Sequence, residues 1–301
     1  MTHREPFFPS HEYLTVKELA ELLRLKERKV YDLAANGKVP CSRATGKLLF
    51  PAIEIRRWLE SAQSGATSET ESKLEQRPDV VLGSHDPLLD WAIRQSRCGL
   101  ASYCDGSHDG LHRFAAAEGV VAGLHVYDSG AETWNVPMVS RYAENLDAAL
   151  IHFSVRSRGI VFRSGSDLPR SVTDLAGKRI VPRQPESGTE TLFRQLAFAA
   201  GLNLSSMNFA DIARTEDEAV EAVSRAEADV TFGLESVARA YGLEFSPVIN
   251  EHFALLIDRK AWFEPPLQRL AAFCQSDKFV ARAHSYGGYD ISGFGAVLWN
   301  A

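Results

Sequence analysis

Serine, histidine and aspartate stand in the order of a hydrolytic relay at Ser84-His85-Asp86 and again at Ser107-His108-Asp109, each time behind a glycine. Adjacent residues cannot supply the nucleophile, base and orienting carboxylate of such a relay, because those side chains must converge from separate segments. A relay assembled across the two copies, Ser107 with His85 and Asp86, stays open to the geometry, but no G-x-S-x-G turn accompanies it. His108 and His112 lie one helical turn apart, a spacing that suits zinc or nickel, with Cys104 and His85 as neighbours to complete a ligand set. The string between those histidines lacks the glutamate of a metalloprotease site, and a solvent-facing histidine explains it as well. The expectation is therefore neither an enzyme nor a metal centre.

A third chemistry fits the same residues better. Both Gly-Ser-His-Asp strings follow a short apolar run and precede an apolar-periodic stretch, so each reads as a turn between a strand and a helix. A helix start presents unpaired N–H groups and about half an elementary positive charge. Glycine lets the backbone approach a ligand closely, and serine adds a hydroxyl donor. Ser187-Gly188-Thr189 repeats those features further along the chain. Ser84 and Ser107 from one half, with Ser187, Gly188 and Thr189 from the other, would make a cradle for a small anion. Two copies of one turn would then do one job.

His85 and His125 can donate to an oxygen of that anion. Arg183 can neutralise its charge, and Asn135 lies in a turn over 133–137 expected to face the same cleft. Asp86 and Asp109 would repel a bare anion unless they cap helices or grip a hydroxyl or a cation. They leave room for an organic ligand carrying both acidic and hydroxyl or amine groups. The plainer reading of each loop is an ordinary helix cap.

The elements that must position these residues alternate. DVVL, CGLAS, VVAGLH, GIVF, KRIVP, DVTFG, EFSPV and FALLID read as short strands, with helices over Leu88–Arg97, Leu111–Glu118, Thr189–Ala200, Glu216–Ala226 and Glu235–Tyr241 between many of them. Such alternation implies an α/β body with largely parallel sheets. The strands are too many for one compact sheet, which predicts two lobes: 79–156 with 251–301, and 157–250. The chain would cross between them near Ser154–Arg158 and Asn250–Phe253.

Residues 10–60 form a separate head. Thr15 with Glu18 is a capping box, and Leu19, Leu22 and Leu23 follow at helical spacing. A second helix fits Glu27–Asn36 with Val30, Tyr31 and Leu33 inward. A hairpin over Val39–Phe50 turns at Ala44-Thr45-Gly46-Lys47, and a last helix over Ala52–Glu60 is anchored by Ile53, Ile55 or Trp58. Residues 61–78, rich in Ser, Thr, Glu and Gln, read as a linker. The head holds ten Lys/Arg against seven Asp/Glu, a net of +3, while the whole chain is −6 and residues 61–301 carry −9. A basic head on an acidic body suggests that only the head meets a polyanion.

Two helices followed by a basic hairpin make a winged helix-turn-helix. Leu14-Thr15, Glu18-Leu19-Ala20, Leu22-Leu23, Val30-Tyr31, Gly37-Lys38-Val39-Pro40, Gly46, Phe50 and Trp58-Leu59 give the head a resemblance to the excisionase and MerR-like DNA-binding family. That plan sets the second helix in the major groove of double-stranded DNA, with Lys26, Arg28 and Lys29 near its start. Arg43 and Lys47 on the wing would reach phosphates or the minor groove. A head that binds protein is the alternative.

GSHDPLLDWA, Gly123-Leu124-His125-Val126-Tyr127-Asp128, the run Asp174–Arg183 and Arg183-Gln184-Pro185-Glu186-Ser187-Gly188-Thr189 make the body similar to the type II periplasmic-binding-protein fold. Head and body together resemble one-component transcriptional regulators. The resemblance implies an anionic effector of the molybdate or tungstate type, or else a small organic acid metabolite. It also implies no resident cofactor and a homodimer or higher homo-oligomer. Cys41, Cys98, Cys104 and Cys274 show no framework spacing, no apolar run spans a bilayer, and MTHREPFFPS reads as no secretory leader. A cytoplasmic protein without membrane contact is expected.

Overall fold

Thr15 starts the first helix of the head through a reciprocal cap. In the computed structural model, which describes residues 13–43, 46–61, 77–165 and 168–301, its hydroxyl accepts from the Glu18 amide at 3.3 Å. The Glu18 carboxylate in turn accepts from the Thr15 amide at 2.7 Å. The chain divides into two units, residues 1–76 and 77–301. In the first, β1 (Tyr13–Leu14) leads into α1 (Val16–Leu23) and α2 (Glu27–Ala35), and β2 (Phe50–Pro51) runs directly into α3 (Ala52–Ser61). β2 pairs antiparallel with β1, setting Leu14 opposite Phe50. Ser42 and Leu49 exchange backbone hydrogen bonds of 2.7 and 2.9 Å at the base of the wing. The expected wing tip at Ala44-Thr45 and residues 62–76 of the expected linker lie outside the described residues.

Leu14, Leu19, Val30, Val39, Phe50 and Ile55 pack as the core of the head. Two residues expected there are elsewhere, since Tyr31 is 54% exposed and Ile53 is 64% exposed. Val30 and Ala34, one turn apart, take the inward stripe of α2, which turns Tyr31 toward solvent. Ile53 sits two positions before the buried Ile55 and so falls on the far side of α3.

The body begins at Arg77, whose guanidinium pairs with Asp258 at 2.9 Å and lies over the Phe114 ring. β3 (Val80–Gly83), α4 (Pro87–Ser96), β4 (Ala101–Tyr103), α5 (Ser107–Ala115) and β5 (Val121–Leu124) form two strand–helix units closed by a third parallel strand. A short pair, β6 (Tyr127–Asp128) and β7 (Thr133–Trp134), precedes α6 (Val136–Ala143) and the long β8 (Ala148–Phe162). The second half holds β9 (Arg179–Val181), α7 (Gly188–Ala199), β10 (Asn208–Phe209), α8 (Glu216–Ser224), β11 (Val230–Leu234) and α9 (Glu235–Ala240). β12 (Glu244–Asp258) returns to the first half, followed by α10 (Arg259–Trp262), α11 (Pro265–Cys274), α12 (Asp277–Tyr286), β13 (Tyr289–Asp290) and β14 (Val297–Asn300).

All the larger strands belong to one ten-stranded sheet in the order β10-β9-β11-β8-β12-β5-β3-β4, with β13 and β14 on β8. Separate sheets were expected, because GIVF, EFSPV and FALLID read as separate strands. They are parts of β8 and β12, 15 residues each, which pair antiparallel from Ala148↔Asp258 to Phe162↔Glu244. The flanks are parallel as expected, and the centre is antiparallel. Val121, Phe153, Phe253 and Phe279 fill the core of the first half, and Ile160, Phe162, Phe193 and Phe232 that of the second.

Candidate functional site

Parallel strands end where their helices begin, and ligands of open α/β sheets collect beyond those ends. Here the ends of β3, β4 and β5 face the ends of β9 and β11 across a cavity of about 290 Å³. Ser84, His85 and His125 line it from one half, and Arg183, Ser187, Gly188 and Thr189 from the other. Seven of the nine residues expected at the cradle therefore meet at one cavity. The other two, Ser107 and Asn135, do not line it.

The reason lies in the phase of the repeated turn. In the first copy Asp86 is the cap of α4, accepting from the Leu89 amide at 2.7 Å, so Ser84 and His85 precede the helix. In the second copy Gly106, at φ 120°, holds the cap position, and Ser107, His108 and Asp109 form the first turn of α5. The same four residues are thus offset by three positions relative to their helices. Asp109 turns to Arg113 at 2.9 Å along the helix. Ser107 is fully buried, hydrogen-bonded to the Ser84 hydroxyl at 2.8 Å and accepting from the His125 amide at 3.1 Å. The Gly106 amide donates to the Gly83 carbonyl at 3.0 Å. The second turn braces the first, so the two copies do different jobs. Asn135 is also a brace, accepting from the Val126 amide at 2.7 Å and donating to the His252 carbonyl at 2.9 Å.

Helix starts still face the cavity. Ser187 caps α7 by accepting from the Glu190 amide at 3.1 Å. That leaves the amides of Gly188 and Thr189, first-turn donors that no helical bond can satisfy. A methyl group at Gly188 would lie 2.8 Å from His125 Cε1, so only glycine lets this helix approach the opposite half so closely. Sequence reasoning placed a helix from Glu216 onward but did not bring its start, that of α8, to the cavity. Thr215 caps it at 3.0 Å from the Glu218 amide, and Thr215, Glu216 and Asp217 all line the cavity. Its signal was a capping box, Thr215 with Glu218, identical in kind to the one recognised at Thr15.

From the wall of the cavity inward runs an alternating chain of charges, with Arg158, Arg183 and Glu216 lining the cavity. Arg183 donates to Glu216 at 2.6 Å, and Glu216 accepts from Arg158 at 2.7 Å. Arg158 donates to Glu251 at 2.6 Å, Glu251 accepts from Arg156, and Arg156 donates to Asp86 at 2.9 Å. Tyr289 adds a hydroxyl donor to Asp86 at 2.8 Å. Arg156 and Arg158 are each about 1% exposed. They stand two apart in β8 and so share one face of the sheet, the signal that SVRSRGIVF carried and that sequence reasoning passed over.

Burial works against the ionised form of Glu251, but Arg156 and Arg158 outweigh it and hold the carboxyl well below the ordinary range. Burial likewise opposes ionisation of Glu216, and Arg158 and Arg183 again prevail. Burial lowers the pKa of His125 despite the neighbouring Glu251, which keeps the imidazole neutral near pH 7. Its Nδ1 lies 2.9 Å from Glu251 Oε2 but outside hydrogen-bonding geometry. Cys104 lines the cavity with part of its side chain in solvent, and partial desolvation with the Asp90 and Asp86 carboxylates pushes its thiol up to about 11. His112 packs against Tyr142 with the two rings tilted by 37°, and among the described residues no three His, Cys, Asp or Glu side chains gather as metal ligands.

Residues 91–275 match the model of the PBP superfamily domain. The chain belongs to the PBP superfamily. Residues 13–63 match a helix-turn-helix domain, so the protein joins a head of that class to a PBP superfamily body. The chain is 24% identical over 303 residues to the uncharacterized protein YvgK of Bacillus subtilis (strain 168), covering 94% of this chain and 97% of that one. The fold is also that of a putative phosphate ABC transporter substrate-binding protein from Clostridium perfringens, solved with bound phosphate. That match has a TM-score of 0.51 and 9% identity, over 72% of this chain and 98% of the other. An H2O2-bound OxyR variant from Corynebacterium glutamicum aligns over 91% of each chain at a TM-score of 0.48 and 14% identity.

In the helix-turn-helix head, Lys26 is the cap residue of α2 and Arg28 and Lys29 lie in its first turn. All three are exposed, as are Arg43 and Lys47 on the two sides of the wing tip. No helix among the described residues is long and apolar enough to cross a membrane.

Proposed function

We propose that the protein is a ligand-responsive DNA-binding regulator that senses a small anion in the cavity between the halves of its body. The observation that carries this reading is the convergence of the free first-turn amides of Gly188 and Thr189 with Arg183, Ser84, His85 and His125 on one cavity. Ser187 orients that helix start. Tetrahedral oxyanions of the molybdate or tungstate type are the first effectors to try. Three acidic side chains, Asp105, Glu216 and Asp217, line the same cavity beside Arg158, Arg183 and Arg214. That balance of charge favours a second reading, a small organic acid that also carries a hydroxyl or amine donor. Closure of the halves on the effector would change how paired heads meet DNA in a cytoplasmic homo-oligomer. Lys26, Arg28, Lys29, Arg43 and Lys47 are the proposed DNA contacts.

Thermal unfolding with molybdate, tungstate, sulfate, phosphate and small organic acids tests the cavity. A true effector at 100 times its Kd adds about 2.7 kcal/mol of stability. No shift with any of these compounds would remove the anion reading. Reversing charge at Arg28, Lys29 and Arg43 tests the head. Lost DNA binding with an unchanged circular-dichroism spectrum supports DNA contact, and unchanged DNA binding would favour a head that binds protein.

A further inference from the structure

Beside the cavity lies a second space that none of the roles above uses. It is a groove of about 420 Å³, and it shares His85, Pro87 and Asp217 with the cavity as common walls. Its other walls come from both halves: Trp91 on α4, Val237 and Ala240 on α9, and Tyr286 at the end of α12. The chemistry differs from that of the cavity. Arg94 and Asp90 at its edge are already paired at 2.7 Å. The two rings are held by one guanidinium, since Arg282 lies 5.4 Å from the Trp91 ring and 4.3 Å from that of Tyr286, donating to the Tyr286 hydroxyl at 3.2 Å. The Ser236 hydroxyl is buried in the wall beside Tyr289. An aromatic and aliphatic wall with few polar groups is what an apolar tail requires.

From this continuity we infer that the effector is a carboxylic acid with an apolar or aromatic tail, its acidic head in the cavity and its tail in the groove against Trp91, Val237 and Tyr286. The inference rests on the anion reading of the cavity and narrows it. Cavity and groove, about 290 and 420 Å³, fall together within the roughly 300–1,000 Å³ typical of sites for drug-sized organic molecules. A bare tetrahedral oxyanion would use only the first.

Lactate and 3-phenyllactate carry the same 2-hydroxy acid head and differ by one phenyl ring, which makes them suitable probes. Calorimetric titration of the full chain should give 3-phenyllactate a Kd at least ten-fold below that of lactate. Ala240→Trp, at an exposed wall position, should bring the two together by filling the groove. Tyr286→Ala should shrink the difference without filling anything. Equal Kd values in the unaltered protein, or binding of molybdate or phosphate with neither acid binding, would overturn the tail while leaving the anion reading standing. Binding of none of the four would overturn both.

Discussion

Glu251→Gln should be among the most damaging substitutions available in the body that leave side-chain volume unchanged. The Glu251 carboxylate is fully buried and accepts from both Arg156 and Arg158. With the charge removed, Asp86 and Glu216 remain as the acidic partners of two buried arginines. Removing one partner of a buried ion pair costs about 3–5 kcal/mol. For a unit of this size that corresponds to a fall in Tm of about 6–20 °C. The assay is thermal unfolding of the full chain at pH 7, followed by circular dichroism and calorimetry.

The pH dependence has a fixed sign. Glu251 has a depressed folded-state pKa, so its stabilisation is complete above its unfolded value, about 4.3. That stabilisation is lost as pH falls through the lower folded-state pKa. The variant should therefore lose less stability than the unaltered protein between pH 7 and the acid range. A double variant, Arg156→Met with Glu251→Gln, leaves Arg158 with Glu216, and leaves Asp86 with Tyr289 and the Leu89 amide. It should be less destabilised than the sum of its singles by about 0.5–3 kcal/mol. A fall in Tm below 2 °C for the single variant, or strict additivity in the double, would refute the idea that the chain of charges is one coupled unit.

Gly188→Ala forces a methyl to within 2.8 Å of the His125 ring. It should abolish effector-induced stabilisation in the thermal assay while leaving the unliganded far-UV spectrum intact. Ser107→Ala removes the brace between the two Gly-Ser-His-Asp turns and leaves the buried His125 amide without its acceptor. It should cost about 1–3 kcal/mol in urea unfolding although Ser107 never lines the cavity. Thr15→Ala should lower the stability of the head by about 1 kcal/mol, measured on the full chain through hydrogen exchange of α1 amides.

Local signals made much of this legible. The capping box at Thr15, the helix starts near residues 88, 189 and 216 and the loop Ser187–Thr189 all rest on interactions within a few residues, which a sequence displays directly. Seven cradle residues could be named because each follows a strand end, and strand ends converge in this fold class. What stayed hidden is long-range. Ser107 looked equivalent to Ser84 because its tetrapeptide is identical. Whether that tetrapeptide precedes its helix or opens it depends on where α5 starts, four residues before the apolar periodicity begins at Leu111. Arg156 and Arg158 gave a period-two charge pattern inside an apolar strand, but their partners come from Asp86, Glu216 and Glu251. Tyr31 was placed inward on a stripe that Val30 and Ala34 already fill.

The two long central strands have a further consequence for how the chain is made. Each half of the body owns a stretch of both β8 and β12, and the core of the first half also needs Leu267, Leu270 and Phe279 from α11 and α12. During synthesis, then, the first half cannot finish assembling until Phe279 has been added, whereas the described core of the head lies between Leu14 and Leu59. Truncation ahead of α11 should hence spare the core of the head and strip Leu267, Leu270 and Phe279 from that of the first half.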